Sequence, residues 1–376
     1  MIRICHLITD LQIAGAERNL VELATRLNPN QFCCEIVTLF EPGPLADSAL
    51  SAGIPVTSLE TKFGRPRAAA VTRLTHHLRK SRPTILQTWL YYADLIGLIG
   101  GRLAGTPYIV WNLRCSRMAA VGEYWRLQRR MALFGLLSRL PNAVIVNSRA
   151  GLIHHSFHRY RPRRWIEIAN GVDLVRFRPR PGERLALRAK FGLRSDATII
   201  GMVARNHPMK DHLTFLRAAS LFASRHPNSE FVLSGKDCIP EAKPLKELIA
   251  AFGLESRVHL LGVRLDINDL YPTFDIATLS SAYGEGCPNT LLEAMACEIP
   301  VVATDVGDSA HILGSEGLIV RPQDPESLAS GWTQLLSAAS ARAGLRGRAR
   351  ALKLFSIEQS VRNYEEAYLD LIKGSS

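Results

Sequence analysis

Short apolar runs alternate with longer stretches of helical period along the whole chain, a pattern that predicts parallel sheets covered by helices. Strand-like runs fall at 3–8, 33–39, 55–59, 84–87, 108–111, 143–147 and 165–168, with helical stretches such as 16–27 and 67–82 between them. A looser, charged segment at 174–195, with Pro179 and Pro181, reads as a linker. The pattern then restarts, with strand-like runs at 198–204, 230–234, 258–261, 274–279, 300–304 and 317–320. At the end, Ser356 and Gln359 form a capping box, and Ile357, Val361, Tyr364, Tyr368 and Leu371 recur at helical spacing.

The expectation is therefore an α/β protein of two doubly wound, Rossmann-like domains facing a central cleft. The domains are expected at 1–173 and 196–355, and the helix at 356–376 is expected to pack back on the first. Ligands of such sheets sit in the loops just past the carboxyl ends of the strands.

A length of 376 residues suits two such cores, and 47% hydrophobic with 21% charged residues describes a globular chain. No window is apolar for long enough to predict a spanning helix. The first residues are apolar only as far as Asp10 and lack a cationic start, so they read as a buried strand and not as a signal peptide. Seven cysteines show no C-x-x-C pair, and no histidines cluster at ligand spacing. This argues against a zinc module and for reduced thiols in a cytoplasmic protein.

Charge changes the picture more. The formal net charge is +12, and between Arg114 and Lys190 seventeen Arg and Lys residues face four acids. Such a stretch concentrates anions or simply keeps a face solvated. The arginines are not interleaved with an RNA-binding aromatic pattern, so nucleic acid is not an expected partner.

The most informative loop runs from Ser280 to Ala296, following a predicted strand. Gly284 and Gly286 flank Glu285, and a helix is expected to start near Pro288 or Asn289. Free amides at a helix start favour phosphate, which places Gly286, Asn289, Thr290 and Leu291 against it. Glu293 lies one turn further in among Leu, Ala and Met, where a ribose diol would supply the donors a carboxylate needs. Read alone, the two glutamates could equally be a surface acid and a first-turn acid. Arg205 and Lys210 follow the strand at 198–204, just before a helix expected to be capped by Asp211. Two cations at a strand end suit a diphosphate. Gly15, in the first strand-to-helix loop, lets backbone amides approach a bound phosphate or sugar.

Glu285 and Glu293, with Gly286, Pro288 and the run Glu-Ala-Met-Ala, resemble the paired-glutamate motif of retaining glycosyltransferase family 4, whose fold is the GT-B type. The resemblance extends in order through Ala14-Gly15-Ala16-Glu17-Arg18, Asn170-Gly171-Val172-Asp173 with Phe177, Arg205 to Lys210, the glutamates, and Thr304-Asp305-Val306-Gly307. It implies a metal-independent transfer of a sugar from a nucleotide-sugar donor to a saccharide or lipid-linked acceptor, in surface polysaccharide synthesis, with no cofactor beyond the donor substrate. The resemblance gives catalytic work to Arg205, Lys210 and Glu285, donor-sugar contact to Glu285 and ribose contact to Glu293. It makes the first domain the acceptor side and the second the nucleotide-sugar side. The alternative is a nucleotide-sugar epimerase, or a non-transferring binding protein, of the same fold.

The sequence departs from the family pattern at Ala14, where a second glycine is usual, and at 111–116, where many members carry a histidine and this chain has Arg114. Gly262 to Arg264 are expected near the nucleotide base. Trp89, Tyr91, Tyr92 and Asp94, after the strand ending at Gln87, are expected to shape a sugar-binding surface, with a core role the alternative for Trp89. The segment 124–140 mixes apolar residues with arginines, which suits either an anionic membrane surface on the inner leaflet or ordinary helix packing.

Overall fold

The computed structural model describes residues 1–61, 67–114, 124–337 and 342–374, with the backbone alone at 67 and 124–130. The chain forms two compact units, Met1–Gly171 with Ile357–Ser376, and Val172–Ser356. Among the described residues, the alternation seen in the sequence becomes thirteen strands in two all-parallel sheets.

In the first unit β1 (Ile2–Ile8), β2 (Phe32–Thr38), β3 (Val56–Ser58), β4 (Ile85–Trp89), β5 (Tyr108–Leu113), β6 (Ala143–Val146) and β7 (Trp165–Glu167) lie in the order β3-β2-β1-β4-β5-β6-β7. The order reverses between β1 and β4. The final helix, Ile357–Lys373, completes this unit's core: Ile357, Val361, Tyr364, Tyr368 and Leu371 are all buried, in one cluster with Ile4, Ile36, Ile85 and Trp89. Burying each such side chain is worth roughly 1.5–3 kcal/mol. Its tyrosines also satisfy polar groups inside the sheet, since Asn112 Nδ2 donates to Tyr364 OH at 2.9 Å and Tyr368 OH donates to Gln87. Gly171 is required at the chain's exit from the unit, because a Cβ there would stand 2.5 Å from the Cα of Ile357.

The second unit holds β8 (Thr198–Val203), β9 (Ser229–Ser234), β10 (Val258–Leu260), β11 (Ile276–Leu279), β12 (Val301–Thr304) and β13 (Leu318–Val320), in the order β10-β9-β8-β11-β12-β13. Phe215, Phe222, Phe231 and Trp332 pack edge-to-face or tilted on one side, and Trp332 Nε1 reaches Thr278 Oγ1 at 2.9 Å. Strand β11 starts at Ile276, two residues later than expected, because Tyr271–Thr273 forms a 3-10 turn first.

The segment 174–195 is not a free linker. It carries a 3-10 turn at Pro181–Glu183 and a helix at Arg184–Lys190, and Arg188 is buried. Arg184 and Arg188 bind the two oxygens of Asp275 at 2.6 and 2.8 Å, and the same carboxylate accepts from Ile199 N at 2.7 Å. Arg180 and Lys190 pair with Asp269. Acids from 266–275 thus neutralise part of the basic stretch, a partnership that no local reading of sequence could find. Arg117, and the side chains of Arg126, Arg129 and Arg130, lie outside the described residues.

Three histidines are buried neutral. Desolvation lowers His6 to about 3, His155 to about 4 and His212 to about 4, the last with help from the Lys210 charge. His155 is held as the Nδ1–H tautomer: that nitrogen faces the Gly151 carbonyl at 2.6 Å, leaving Nε2 to accept from Tyr91 OH at 2.6 Å. A histidine titrates near 6.5 in the unfolded chain, so between pH 6.5 and 4 the unfolded state takes up protons that the folded state refuses. The stability from these groups is complete above pH 6.5 and is lost on acidification. Denaturant midpoints should therefore fall by several kcal/mol equivalent between pH 7 and 4.5, and less steeply for His155→Gln. A flat profile over that range would contradict this account.

Candidate active site

Strands β8 and β11 are neighbours at the point where the order of the second sheet reverses, with Ile200 opposite Ile276 and Gly201 opposite Ala277. Both point the same way, so the loops leaving their carboxyl ends emerge side by side, where a doubly wound sheet binds ligands. Backbone and hydroxyl contacts tie these loops together. Ala282 N donates to Met209 O at 2.9 Å, and Ser280 Oγ to Lys210 O at 2.9 Å.

The charged groups of the two loops meet as a result. Lys210 Nζ lies 2.5 Å from Glu285 Oε1, and Ser281 Oγ donates to the same oxygen at 2.5 Å. Glu285 is only 5% exposed. A carboxylate so far from water is costly to bury unless donors meet it, and this pair supplies them. Arg205 projects into solvent from the same loop. Burial, and then the Arg205 and Lys210 charges, hold the His207 imidazole below its ordinary value, so the cations form one local field. Asp211 adopts the left-handed conformation, φ 53°, and caps the helix His212–Arg225 through Thr214 N at 3.1 Å, as expected.

Gly284 turns the loop at φ +83°, and the helix Asn289–Ala296 then starts behind Pro288, whose side chain offers no cap. Glu293 is 2% exposed and accepts from Tyr271 OH at 2.8 Å. Gly307 must be glycine on two counts. Its φ is +63°, and a Cβ there would stand 2.3 Å from the Glu285 carbonyl oxygen. Asp308 N, one residue on, donates to Gly286 O at 3.0 Å. The segment Thr304–Gly307 thus sets the position of the Glu285 loop from beneath.

Lys210, Glu285, Gly286 and the helix start at Asn289 therefore come together at one switch point, with Arg205 beside them and Glu293 one turn along the helix. Thr290 and Leu291 differ. The Thr290 hydroxyl is buried without a hydrogen-bond partner and lines a small internal void with Gly201, Val203, Tyr271 and Leu291. Only their backbone amides belong to the helix start. Arg264 is engaged by Asp266 in two contacts of 2.8 Å and covers the Phe191 ring, which leaves exposed Val263 as the side chain of that turn. Ser281, Tyr271 and His207 escaped the sequence reading. Only the fold brings Tyr271 and Ser281 to the glutamates, and no local spacing flags them.

In the first unit, Gly15 opens the helix Gly15–Ala24, one residue before the expected start, and Ala14 stands at the N-cap in extended conformation. Trp89 belongs to the core: it is fully buried, and its Nε1 donates to His6 Nδ1 at 3.3 Å. Asp94 is likewise fully buried and accepts from Thr88 Oγ1 at 2.5 Å, with burial pushing its carboxyl well up, so it forms no sugar-binding surface. Tyr91 is used by His155, and Tyr92 stacks on Phe40. Arg114 caps the carboxyl end of β5, 2.5 Å from Asn170 Oδ1 and over the Trp89 ring. Cys115 and Ser116 lie outside the described residues.

Comparison with known proteins agrees with this geometry. Residues 13–176 match the model of Glycosyltransferase Family 4, and residues 197–338 match that of Glycosyl transferases group 1. The chain belongs to this glycosyltransferase family. Among curated relatives it is 33% identical over 217 residues to the D-inositol 3-phosphate glycosyltransferase of Rhodococcus jostii, covering 55% of this chain and 47% of that protein. It thus spans about half the length of that relative. It is 22% identical, over 99% of this chain and 97% of the other, to the UDP-Gal:alpha-D-GlcNAc-diphosphoundecaprenol alpha-1,3-galactosyltransferase of Escherichia coli. The crystal structure of Anabaena HepE in complex with UDP and glucose superposes with a TM-score of 0.85 at 21% identity, covering 98% of this chain and all of that one. The fold is accordingly of the two-domain GT-B type.

Removing the Tyr271 hydroxyl leaves a buried carboxylate oxygen short of a donor, which costs about 1–3 kcal/mol. Tyr271→Phe should lower unfolding stability by that amount in denaturant titration, and an unchanged midpoint would show that the contact is not made.

Proposed function

We propose that the protein is a retaining glycosyltransferase that moves a sugar from a nucleoside-diphosphate sugar to a saccharide or lipid-linked acceptor in surface polysaccharide synthesis, without a metal. The observation that carries this reading is the meeting of Lys210, Glu285 and Ser281 at the β8–β11 switch point, beside Arg205 and the start of the helix Asn289–Ala296. Breaking the glycosidic bond builds negative charge on the departing diphosphate. Cations fixed at that place stabilise the transition state more than the ground state. Lys210 has three N–H donors, so it can keep Glu285 while reaching a phosphate oxygen. The helix start at Asn289 and Thr290 then faces the phosphates, and Gly286 gives the loop room. Glu285 takes a hydroxyl of the donor sugar, and Glu293, held by Tyr271, takes the ribose.

Thermal-shift titration with UDP, GDP, ADP and their sugars tests the donor site, because a ligand bound only by the folded form raises the melting temperature. One nucleotide class should raise it, and Lys210→Ala and Glu293→Gln should each cut that affinity at least tenfold. Parent-like shifts in both variants would overturn the assignment. Release of free nucleoside diphosphate only when acceptor is present marks transfer; release-free interconversion of the sugar marks an epimerase.

The acceptor side of the reading places the protein on the inner face of the membrane. No helix among the described residues is long and apolar enough to cross one. Ile153 and Phe157, 67% and 82% exposed, stand on the helix Arg149–Phe157, near Arg159, Arg161, Arg163 and Arg164. Apolar anchors among cations suit an anionic leaflet. Flotation with anionic vesicles should recover the protein at low salt and lose it at high salt or in Phe157→Ser with Ile153→Ser. Recovery that ignores salt and both substitutions would count against this surface.

A further inference from the structure

Away from the strand-end loops, three side chains of different chemistry converge in the first unit. Cys5 on β1 and Glu35 on β2 are opposite each other in register, so both side chains leave the sheet on the same face. The helix Arg67–Ser81 covers that face and contributes His77, whose Nε2 lies 3.0 Å from Glu35 Oε2. One donor atom from each of the three lies within 4.8 Å of the other two. Ser81, one turn beyond His77, holds a buried hydroxyl turned on the Glu35 carboxylate. Leu7, Val37, Leu74 and Leu78 pack around the group as an apolar shell.

We propose that Cys5, Glu35 and His77 form a binding site for a zinc-class divalent cation. A thiol, an imidazole and a carboxylate are the donors zinc takes, at about 2.3, 2.0 and 2.1 Å. These lengths put tetrahedral donors about 3.5 Å apart, so the present group needs side-chain adjustment of roughly an ångström. The fourth position is open to Ser81 Oγ or a water. An ion pair of Glu35 and His77 would stand without Cys5; here the thiol and the Ser81 hydroxyl turn on the same carboxylate, so that sulfur, nitrogen and oxygen donors share one place. On binding, the metal displaces the Cys5 thiol proton to solvent. The two positive charges are then balanced by thiolate and carboxylate, and the buried centre is neutral. Entry is open, because the His77 and Glu35 side chains are 20% and 22% exposed. The ion would pin the helix Arg67–Ser81 to β1 and β2, as a structural metal does. His77 and Glu35 lie 42 residues apart in the chain, which is why local ligand spacing gave no sign of them.

The test is cobalt titration of the full chain after chelator treatment. The expected result is one equivalent bound with a sulfur-to-cobalt charge-transfer absorption, competed away by Zn2+. The absorption should be lost in Cys5→Ser, weakened at least tenfold in apparent affinity in His77→Gln, and kept in Cys33→Ser. Zn2+ should raise the melting temperature of the parent and of Cys33→Ser, and not that of His77→Gln. Absence of the absorption in the parent, or its survival unchanged in His77→Gln, would overturn the proposal whether or not Cys5→Ser folds.

Discussion

A lysine and a glutamate 75 residues apart meet at 2.5 Å because β8 and β11 are hydrogen-bonded neighbours whose connections leave on opposite sides of the sheet. That reversal of strand order is the constraint on which the site depends. It brings two loops with no sequence proximity to a common place and keeps the space between them free of crossover chain. The loops are then locked to each other before any ligand arrives. Ser280 and Ala282 grip the backbone of the Lys210 loop, and Gly307 supports the Glu285 loop by coming closer than any other residue could. Preorganisation of this kind means that little reorganisation is needed when charge develops on a bound anion.

Most strands were legible in the sequence because both sheets are parallel and buried on both faces, so each strand is a short apolar run bounded by polar turns. The helix Ile357–Lys373 announced its buried face through five periodic positions, and Asp211 announced its cap. The glutamates were legible only as a motif: Glu285 and Glu293 show their burial in the fold, and their partners Ser281 and Tyr271 carry no signal of their own. The segment 174–195 misled because its prolines and charges look like those of a solvated connector. Its arginines are held by Asp269 and Asp275, some ninety residues downstream, and no reading of composition anticipates acids that arrive with a later strand. Asp94 misled in the opposite sense, whereas Trp89 took the core role that was its alternative. Trp89 ends β4 and Asp94 stands just past it, where ligand-binding residues belong, yet both turn inward.

The basic character of the chain divides along the same lines. Part of it is internal, with Arg180, Arg184, Arg188 and Lys190 holding the entry of the second unit to the Asp266–Asp275 region. Arg159, Arg161 and Arg163 remain with the first unit, alongside exposed Ile153 and Phe157. Net charge alone could not separate these roles, because a paired arginine and a solvated one count equally toward it.

The helix Ile357–Lys373 has a consequence for how the molecule is made. It belongs to the core of the first unit, yet it is synthesised after every strand and helix of the second. The second unit has all its strands and helices before that moment, whereas the first must wait with the faces of Trp89, Ile85 and Ile36 uncovered. The first unit is therefore completed after the second, and a chain lacking 357–373 would lose the core of its amino-terminal unit while that of the second stayed whole.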